Sequence, residues 1–349
     1  MTRILIAASG TGGHLFPALA VAQKLTDCDI EWLGVSDRLE TTLVPKEYPL
    51  HIVTAKGLQG NPVRKILNGL QLLSSIFQTQ KIIKQRKIDL IFTTGGYIAA
   101  PAILAAKLQG IPVILHESNV LPGKVTRLLG KYATALIIGF QDSATYLPKA
   151  NTIHLGTPVR AEFLTLQPLQ LDIPTEKFVI LAMGGSQGAV GLNQLVRQGA
   201  APWIEAGAFI IHITGKNDPD VDSFQDPNYL SMPFSHEIAP LLQRADFVIS
   251  RSGASALTEL TITKTPSLLV PYPYAAEDHQ TLNAEVFAKR GAGLLVQQNQ
   301  VEPEALTGMI LELIHSPEKR QQMSAQVAAL GIPESAAKIA YFLKSNLRP

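Results

Sequence analysis

The amino-acid sequence predicts an α/β protein built from two doubly wound, parallel-sheet domains. Three observations carry that expectation. Short β-rich runs alternate with helix-period patterns almost throughout, as parallel strands joined by crossover helices do. A glycine-rich loop occurs three times, each after an apolar run and before a helical stretch: Ser9-Gly10-Thr11-Gly12-Gly13-His14, Thr94-Gly95-Gly96-Tyr97 and Met183-Gly184-Gly185-Ser186-Gln187-Gly188. The chain has 349 residues, 46% hydrophobic and 17% charged, which is too long for one core and apolar enough to fill two.

Taken in order, the strands of the first half are expected at 3–8, 30–35, 50–54, 90–94, 113–116 and 135–138. The run at 3–8 could open a signal peptide, but the first glycine loop interrupts it before an apolar core of adequate length forms, so it reads as a strand. In the second half the strands are expected at 178–183, 209–214, 228–232, 247–250, 267–270 and 294–296. A turn signal at Gly156-Thr157-Pro158-Val159-Arg160 places the domain boundary between 158 and 159. Past Pro333, residues 334–347 read as a terminal helix.

The helix expected between Pro62 and Lys87 carries two apolar faces. An advance of about 100° per residue puts Ile66, Leu70, Leu73 and Phe77 together, with Leu72, Ile76 and Ile83 nearly opposite. Arg64, Lys65, Lys81, Lys84, Arg86 and Lys87 form a basic rim. A helix buried on two sides accounts for this pattern, and so does one that lays a spare face on an anionic membrane. The charge distribution favours the membrane: residues 1–158 hold 16 Lys and Arg against 9 Asp and Glu, or +7, while the whole chain is only +2. The Leu72 and Ile76 face is the one expected to meet lipid. No segment reads as a transmembrane helix, because the uncharged stretches at 90–106 and 178–196 are broken by Gly-Gly pairs. A soluble or peripheral protein is expected, and the single Cys28 fits a reducing compartment.

Each glycine loop places backbone N–H groups at a strand-to-helix turn, where an anion can be held. His14 follows the first loop. Neutral imidazole can take a proton from a hydroxyl nucleophile, and it can equally cap the helix it begins. The third loop offers N–H groups and the Ser186 hydroxyl to a diphosphate, with Arg160 as a cationic partner. In Arg251-Ser252-Gly253-Ala254-Ser255-Ala256-Leu257-Thr258-Glu259, a strand, a turn and a helix bring a carboxylate at Glu259 to the hydroxyls of a ribose. Gln280 and Asn283 lie three apart, so one helical turn can present both amides to a sugar.

The ordered set formed by the first loop through Leu15-Phe16-Pro17, Gly95-Gly96-Tyr97, His116-Glu117-Ser118-Asn119, Gly156-Thr157-Pro158-Val159-Arg160, Gly184-Gly185-Ser186-Gln187-Gly188-Ala189 and Asp278-His279-Gln280-Thr281-Leu282-Asn283-Ala284 resembles the MurG family of peptidoglycan N-acetylglucosaminyltransferases. The resemblance spans nearly the whole chain. It implies two Rossmann-like domains facing a cleft, the glycosyltransferase B fold. An acceptor and membrane-facing domain at 1–158 would take back the terminal helix at 334–349, and a UDP-sugar donor domain would occupy 159–333.

The family's reaction is transfer of N-acetylglucosamine, with inversion, from its UDP donor to the C4 hydroxyl of lipid I, giving lipid II for the cell wall. It runs on the cytoplasmic face of the inner membrane, without a cofactor, a metal or a nucleic-acid partner. Carried over position by position, the resemblance makes His14 the base. It puts Thr11, Gly12, Gly13 and Asn119 against the donor, with Tyr97, Glu117 and again Asn119 on the acceptor side. Arg160, Ser186 and Gln187 would meet the diphosphate, Ala254, Ser255, Ala256, Leu257, Thr258 and Glu259 the nucleotide, and Gln280 the sugar. Phe234 would cap the uracil and Ser235 would offer it a backbone contact. Three positions depart from the family pattern: Ser9 replaces a glycine, Ala99-Ala100 a Ser-Gly pair, and Thr157 an asparagine.

Other readings stay open at this point. A diacylglycerol glycosyltransferase shares the fold, the membrane contact and the donor, although His116-Glu117-Ser118-Asn119 favours the peptidoglycan acceptor. A dinucleotide oxidoreductase fits less well, since the first loop lacks the Gly-x-Gly-x-x-Gly spacing and no acidic residue ends the second strand. A non-catalytic sugar-nucleotide sensor would need no base. Asp-x-Asp patterns at 27–29, 218–220 and 220–222 lie away from the loops and are not expected to hold metal.

Overall fold

The computed structural model describes residues 2–36, 38–55, 62–185 and 188–347, those at 62–67 by backbone alone. The chain forms two units, Met1–Arg160 with Ile332–Pro349, and Ala161–Gly331. The division falls two residues from the boundary expected at each crossing. Arg160, expected in the second domain, ends the first unit instead, and its guanidinium carbon lies 4.8 Å from the Phe16 ring.

In the first unit β1 (Arg3–Ala7), α1 (Gly12–Ala22), β2 (Asp29–Gly34), α2 (Glu40–Leu43) and β3 (Leu50–Ile52) are followed by α3 (Pro62–Arg86). The chain continues through β4 (Leu90–Thr93), α4 (Ala99–Gln109), β5 (Val113–Glu117), α5 (Lys124–Leu129), β6 (Ala135–Ile138) and β7 (Thr152–His154). The sheet is parallel, in the order β3-β2-β1-β4-β5-β6-β7. Its central strands are apolar without alternation because helices cover both faces. β7 is absent from the expected strands: Thr152-Ile153-His154 is a three-residue edge strand with no apolar run, and only its pairing with β6 at Leu136↔Thr152 makes it one.

The strand order reverses between β1 and β4, and the first two glycine loops follow these two strands. Loops diverge at such a switch point and leave a crevice. Thr93 Oγ1 donates to Ala7 O at 2.7 Å and ties the two strands together just below it.

On α3 the faces are the reverse of the expectation. Ile76 and Ile83 are buried in one cluster with Ile103 and Ala106 of α4, and Leu72 packs against that cluster. Leu70, Leu73 and Phe77 are 59%, 54% and 69% exposed. The helical wheel supplies two apolar faces, and contact with α4 decides which is core. Arg86 also leaves the rim, since its Nε donates to buried Glu31 at 2.8 Å. Arg64, Lys65 and Ile66 have side chains outside the described residues. Among the described residues no helix is long and apolar enough to cross a membrane.

The second unit runs β8 (Phe178–Met183), α6 (Val190–Glu205), β9 (Ala208–Ile213), β10 (Tyr229–Met232), α7 (Ile238–Arg244) and β11 (Phe247–Ser250). Then come α8 (Ala254–Thr263), β12 (Ser267–Leu269), α9 (His279–Lys289), β13 (Gly293–Leu295), α10 (Pro303–His315) and α11 (Pro317–Ala329). Its parallel order is β10-β9-β8-β11-β12-β13. The switch point lies between β8 and β11, where the third glycine loop and the Ser252-Gly253 turn begin. The chain then returns to the first unit as α12 (Ser335–Ser345). Ile339, Ala340 and Leu343 enter the core cluster of Leu15, Ala18 and Val21 on α1, and Lys344 Nζ meets Asp27 Oδ1 at 2.6 Å.

Candidate functional site

The first glycine loop is held from below by a residue that motif reading passes over. Glu40, fully buried, accepts hydrogen bonds from Ser9 Oγ at 2.5 Å, Gly10 N at 3.2 Å and Val35 N at 2.9 Å. Ser9, where the family pattern has glycine, therefore has a partner of its own. A lone glutamate in a four-residue helix has no spacing signature, so nothing local announces it.

His14 is the third residue of α1, and its ring bonds away from that helix. Nδ1 lies 2.7 Å from Thr94 O, and Thr94 Oγ1 donates back to His14 O at 2.9 Å. A carbonyl only accepts, so the neutral ring carries its proton on Nδ1 and leaves the Nε2 lone pair open. This disposes of the capping role. Gly96, at φ +75°, sits under the ring: a Cβ there would lie 3.5 Å from Nε2. Gly10, Thr11, His14, Arg38, Gly96 and Tyr97 line a pocket of about 350 Å³. Tyr97 is 50% exposed at its edge.

Beside the second loop, Glu117 ends β5 nearly buried. Its Oε1 accepts from Asn119 N at 3.0 Å and Asn119 Nδ2 at 3.2 Å; Oε2 accepts from Gly123 N at 2.9 Å and Thr126 Oγ1 at 2.8 Å. Four donors fill the carboxylate, so Glu117 shapes the loop that carries Asn119. His116 is fully buried with Nε2 3.1 Å from Gly156 O, and burial lowers its pKa to about 4. It stays neutral and inside the core.

In the second unit, Gly188 takes φ +79° with its Cα against Thr214: a Cβ would meet Thr214 O at 2.7 Å, so only glycine fits. A buried network fixes that turn. Asn193 Nδ2 donates to Thr214 O at 2.8 Å and to Asp218 Oδ2 at 3.0 Å, and Arg197 clasps Asp218 at 2.7 and 3.1 Å. His212 joins Asn193 Oδ1 to the Tyr229 hydroxyl, and its pKa falls to about 3, chiefly through burial. Phe234 is 45% exposed, and Ser235 Oγ accepts from Glu237 N at 3.0 Å, ahead of α7.

The turn after β11 is pinned to α9. Ser252 Oγ donates to Gln280 O at 2.8 Å and Asn283 Nδ2 to Ser252 O at 3.1 Å. Arg251, nearly buried, donates to Val270 O, Pro271 O and Gln298 Oε1 at 3.1, 2.9 and 2.6 Å, and burial lowers its pKa to about 10. The next backbone N–H, of Tyr272, donates to Gln280 Oε1 at 2.9 Å. That bond leaves the Gln280 amide nitrogen as the group to donate outward.

Comparison with known proteins agrees with this layout. Residues 4–138 match the glycosyltransferase family 28 N-terminal domain and residues 179–339 the family 28 C-terminal domain. The chain belongs to glycosyltransferase family 28.

Within the family it is 54% identical over 345 residues to a protein of Gloeothece citriformis, covering 99% of this chain and 96% of that one. A Microcystis aeruginosa protein is 55% identical over 344 residues, covering 98% and 96%. Both are named UDP-N-acetylglucosamine–N-acetylmuramyl-(pentapeptide) pyrophosphoryl-undecaprenol N-acetylglucosamine transferase. Among solved structures, Acinetobacter baumannii MurG superposes with a TM-score of 0.80 at 26% identity, covering 99% of this chain and 100% of that one. The calicheamicin glycosyltransferase CalG4, at 16% identity and a TM-score of 0.74 over 99% and 98%, shares the fold.

Against the family pattern the structure sorts the expected residues. Thr11, Gly12, Gly13, His14 and Tyr97 gather at the first switch point. Asn119 and Glu117 share one loop at the end of the neighbouring strand β5. Ala254, Ser255 and Ala256 open α8, and Glu259 lies one turn on. The side chains of the next two residues turn inward: Leu257 is fully buried with its N–H bonded to Gly253 O at 3.0 Å, and Thr258 Oγ1 donates to Ala254 O. Asn283 is likewise fully buried, and its amide serves Ser252 rather than a sugar. A spacing of three put Gln280 and Asn283 on one side of a helix, and packing turned only the first outward. Ser186 and Gln187 lie outside the described residues. Asp27 and Asp218 are bonded to Lys344 and Arg197.

Proposed function

We propose that this chain transfers N-acetylglucosamine from UDP-N-acetylglucosamine to the C4 hydroxyl of lipid I, forming lipid II. The tautomer of His14 carries the reading. With Nδ1–H donated to Thr94 O, Nε2 faces the reaction as a proton acceptor, and a glycosyltransferase that uses a hydroxyl nucleophile needs such a group. Nε2 takes the proton of the C4 hydroxyl while the oxygen attacks the anomeric carbon. The bond from that carbon to the diphosphate breaks, the electron pair leaves with UDP, and α-configuration becomes β.

Tyr97 and Asn119 form the acceptor's surroundings in the first unit, with Glu117 as the positioning group behind Asn119, while Thr11, Gly12 and Gly13, and again Asn119, serve the donor. The N–H groups of Ala254, Ser255 and Ala256 in the second unit offset the charge gathering on UDP, with Ser186 and Arg160 as further donors to the diphosphate. Glu259 accepts from the ribose, Gln280 donates to the sugar, and Phe234 and Ser235 receive the uracil. The named relatives support both substrates. The acceptor's polyprenyl chain resides in a membrane. Exposed Leu70, Leu73 and Phe77, with Lys81, Lys84 and Lys87 beside them, are the face proposed to enter an anionic leaflet from the cytoplasmic side.

The test is transfer of labelled N-acetylglucosamine from its UDP donor to a lipid I analogue, with diacylglycerol as a parallel acceptor. Product on lipid I alone is expected. Product on diacylglycerol alone would replace the acceptor, and donor binding with neither product would make the chain a sensor.

A further inference from the structure

We infer that Tyr229, His212 and Asn193 form a buried hydrogen-bond relay that holds the third glycine loop in its diphosphate-binding shape, which makes them positioning residues for the donor. This rests on the donor reading above. All three side chains are buried, on β10, β9 and the first turn of α6. The donors run one way. Asn193 Nδ2 uses both hydrogens, on Thr214 O at 2.8 Å and Asp218 Oδ2 at 3.0 Å, so its Oδ1 is the acceptor toward the ring. His212 Nε2, 3.0 Å away, therefore carries the proton, and Nδ1 accepts from the Tyr229 hydroxyl at 2.6 Å. Arg197, one turn beyond Asn193, fixes Asp218 with two further bonds.

The relay ends on the wall of the loop. Thr214 O accepts the Asn193 amide, and Gly188, whose N–H closes the loop on Gly185 O at 3.0 Å, packs against the same carbonyl. Asn193 also bonds its own backbone N–H to Ala189 O at 2.9 Å, so one residue ties the start of α6 to the end of β9. Backbone N–H groups point where the turn points them, and the walls of the loop therefore set the aim of its donors. Stability alone does not call for such a network. Well-packed apolar groups in place of buried polar ones are often as stable, whereas directional bonds fix the distance and orientation of Thr214 against α6.

The experiment compares the full chain with His212→Leu, His212→Gln and Tyr229→Phe. It reads calorimetric affinity for UDP and for uridine, KM for UDP-N-acetylglucosamine and for a lipid I analogue, and the urea midpoint. His212→Leu leaves the Tyr229 hydroxyl and Asn193 Oδ1 without partners. It is expected to weaken UDP and raise the donor KM by about tenfold or more, as misplaced binding groups do. Uridine affinity and the lipid I KM should hold. Glutamine can accept from Tyr229 and donate to Asn193 and should recover most of the loss, while Tyr229→Phe should show a smaller loss of the same kind. If His212→Leu does not fold, Tyr229→Phe decides. Native UDP affinity in a folded His212→Leu or Tyr229→Phe protein, an equal loss for uridine and UDP, or a native chain that binds UDP no better than uridine would each overturn the assignment. If UDP binds through this relay but no sugar is transferred, the transferase reading fails and the positioning role stands.

Discussion

Leu73→Asp combined with Phe77→Asp is expected to release the chain from anionic vesicles without unfolding it. Both side chains lie on the solvent side of α3, 54% and 69% exposed. Burying a whole leucine or phenylalanine is worth about 1.5–3 kcal/mol. The exposed fractions leave about 1–2 kcal/mol for each residue to gain in a leaflet, or about 2–4 kcal/mol for the pair. At about 1.4 kcal/mol per factor of ten, the partition coefficient should fall on the order of 100-fold. The assay is co-sedimentation with vesicles containing phosphatidylglycerol, with circular dichroism and the urea midpoint as controls for folding. Leu72→Asp with Ile76→Asp is the contrasting pair, since Ile76 is only 8% exposed and packs on α4. Charges there should unfold the first unit, costing several kcal/mol each. Unchanged sedimentation of a well-folded Leu73→Asp, Phe77→Asp protein would refute the membrane face.

His14→Ala is expected to lower turnover by about 100-fold or more while the KM for UDP-N-acetylglucosamine stays near its native value, which steady-state kinetics reads directly; an equal loss of donor affinity would contradict a base. Glu40→Ala leaves Gly10 N and Val35 N without their acceptor and should cost about 2–3 kcal/mol in urea unfolding of the first unit, with a parallel fall in kcat; full stability would show that the glutamate clamp is dispensable. Burial holds the pKa of His116 at about 4 and that of His212 at about 3, below the ordinary histidine value of about 6.5. As pH falls below about 6.5 the unfolded chain therefore binds a proton at each site before the folded chain does, so stability is complete above that pH and drains away toward pH 4, at about 1.4 kcal/mol per pH unit for each histidine. Urea midpoints between pH 7 and 4 measure the slope, and His212→Gln should reduce that of the second unit by about one proton.

The alternation of apolar runs and helical patterns gave every strand but β7 and the two-domain α/β class from sequence alone, the three glycine loops fell at strand ends as expected, and the ordered motifs pointed to the family. Those features are local: a strand-to-helix turn needs glycine wherever it occurs, and a strand buried on both faces must be apolar. What the sequence left open depends on residues far apart in the chain. The capping and base roles of His14 look the same until Thr94 O, 80 positions away, takes the Nδ1 proton. Glu40 looks like any exposed acid until the first loop closes over it, and Asn283 like a sugar ligand until Ser252 claims its amide. Two apolar faces on α3 are equivalent in sequence. Only contact with α4 buries one and leaves Leu70, Leu73 and Phe77 to meet something else, because periodicity records which residues share a face and tertiary packing alone records what lies against it.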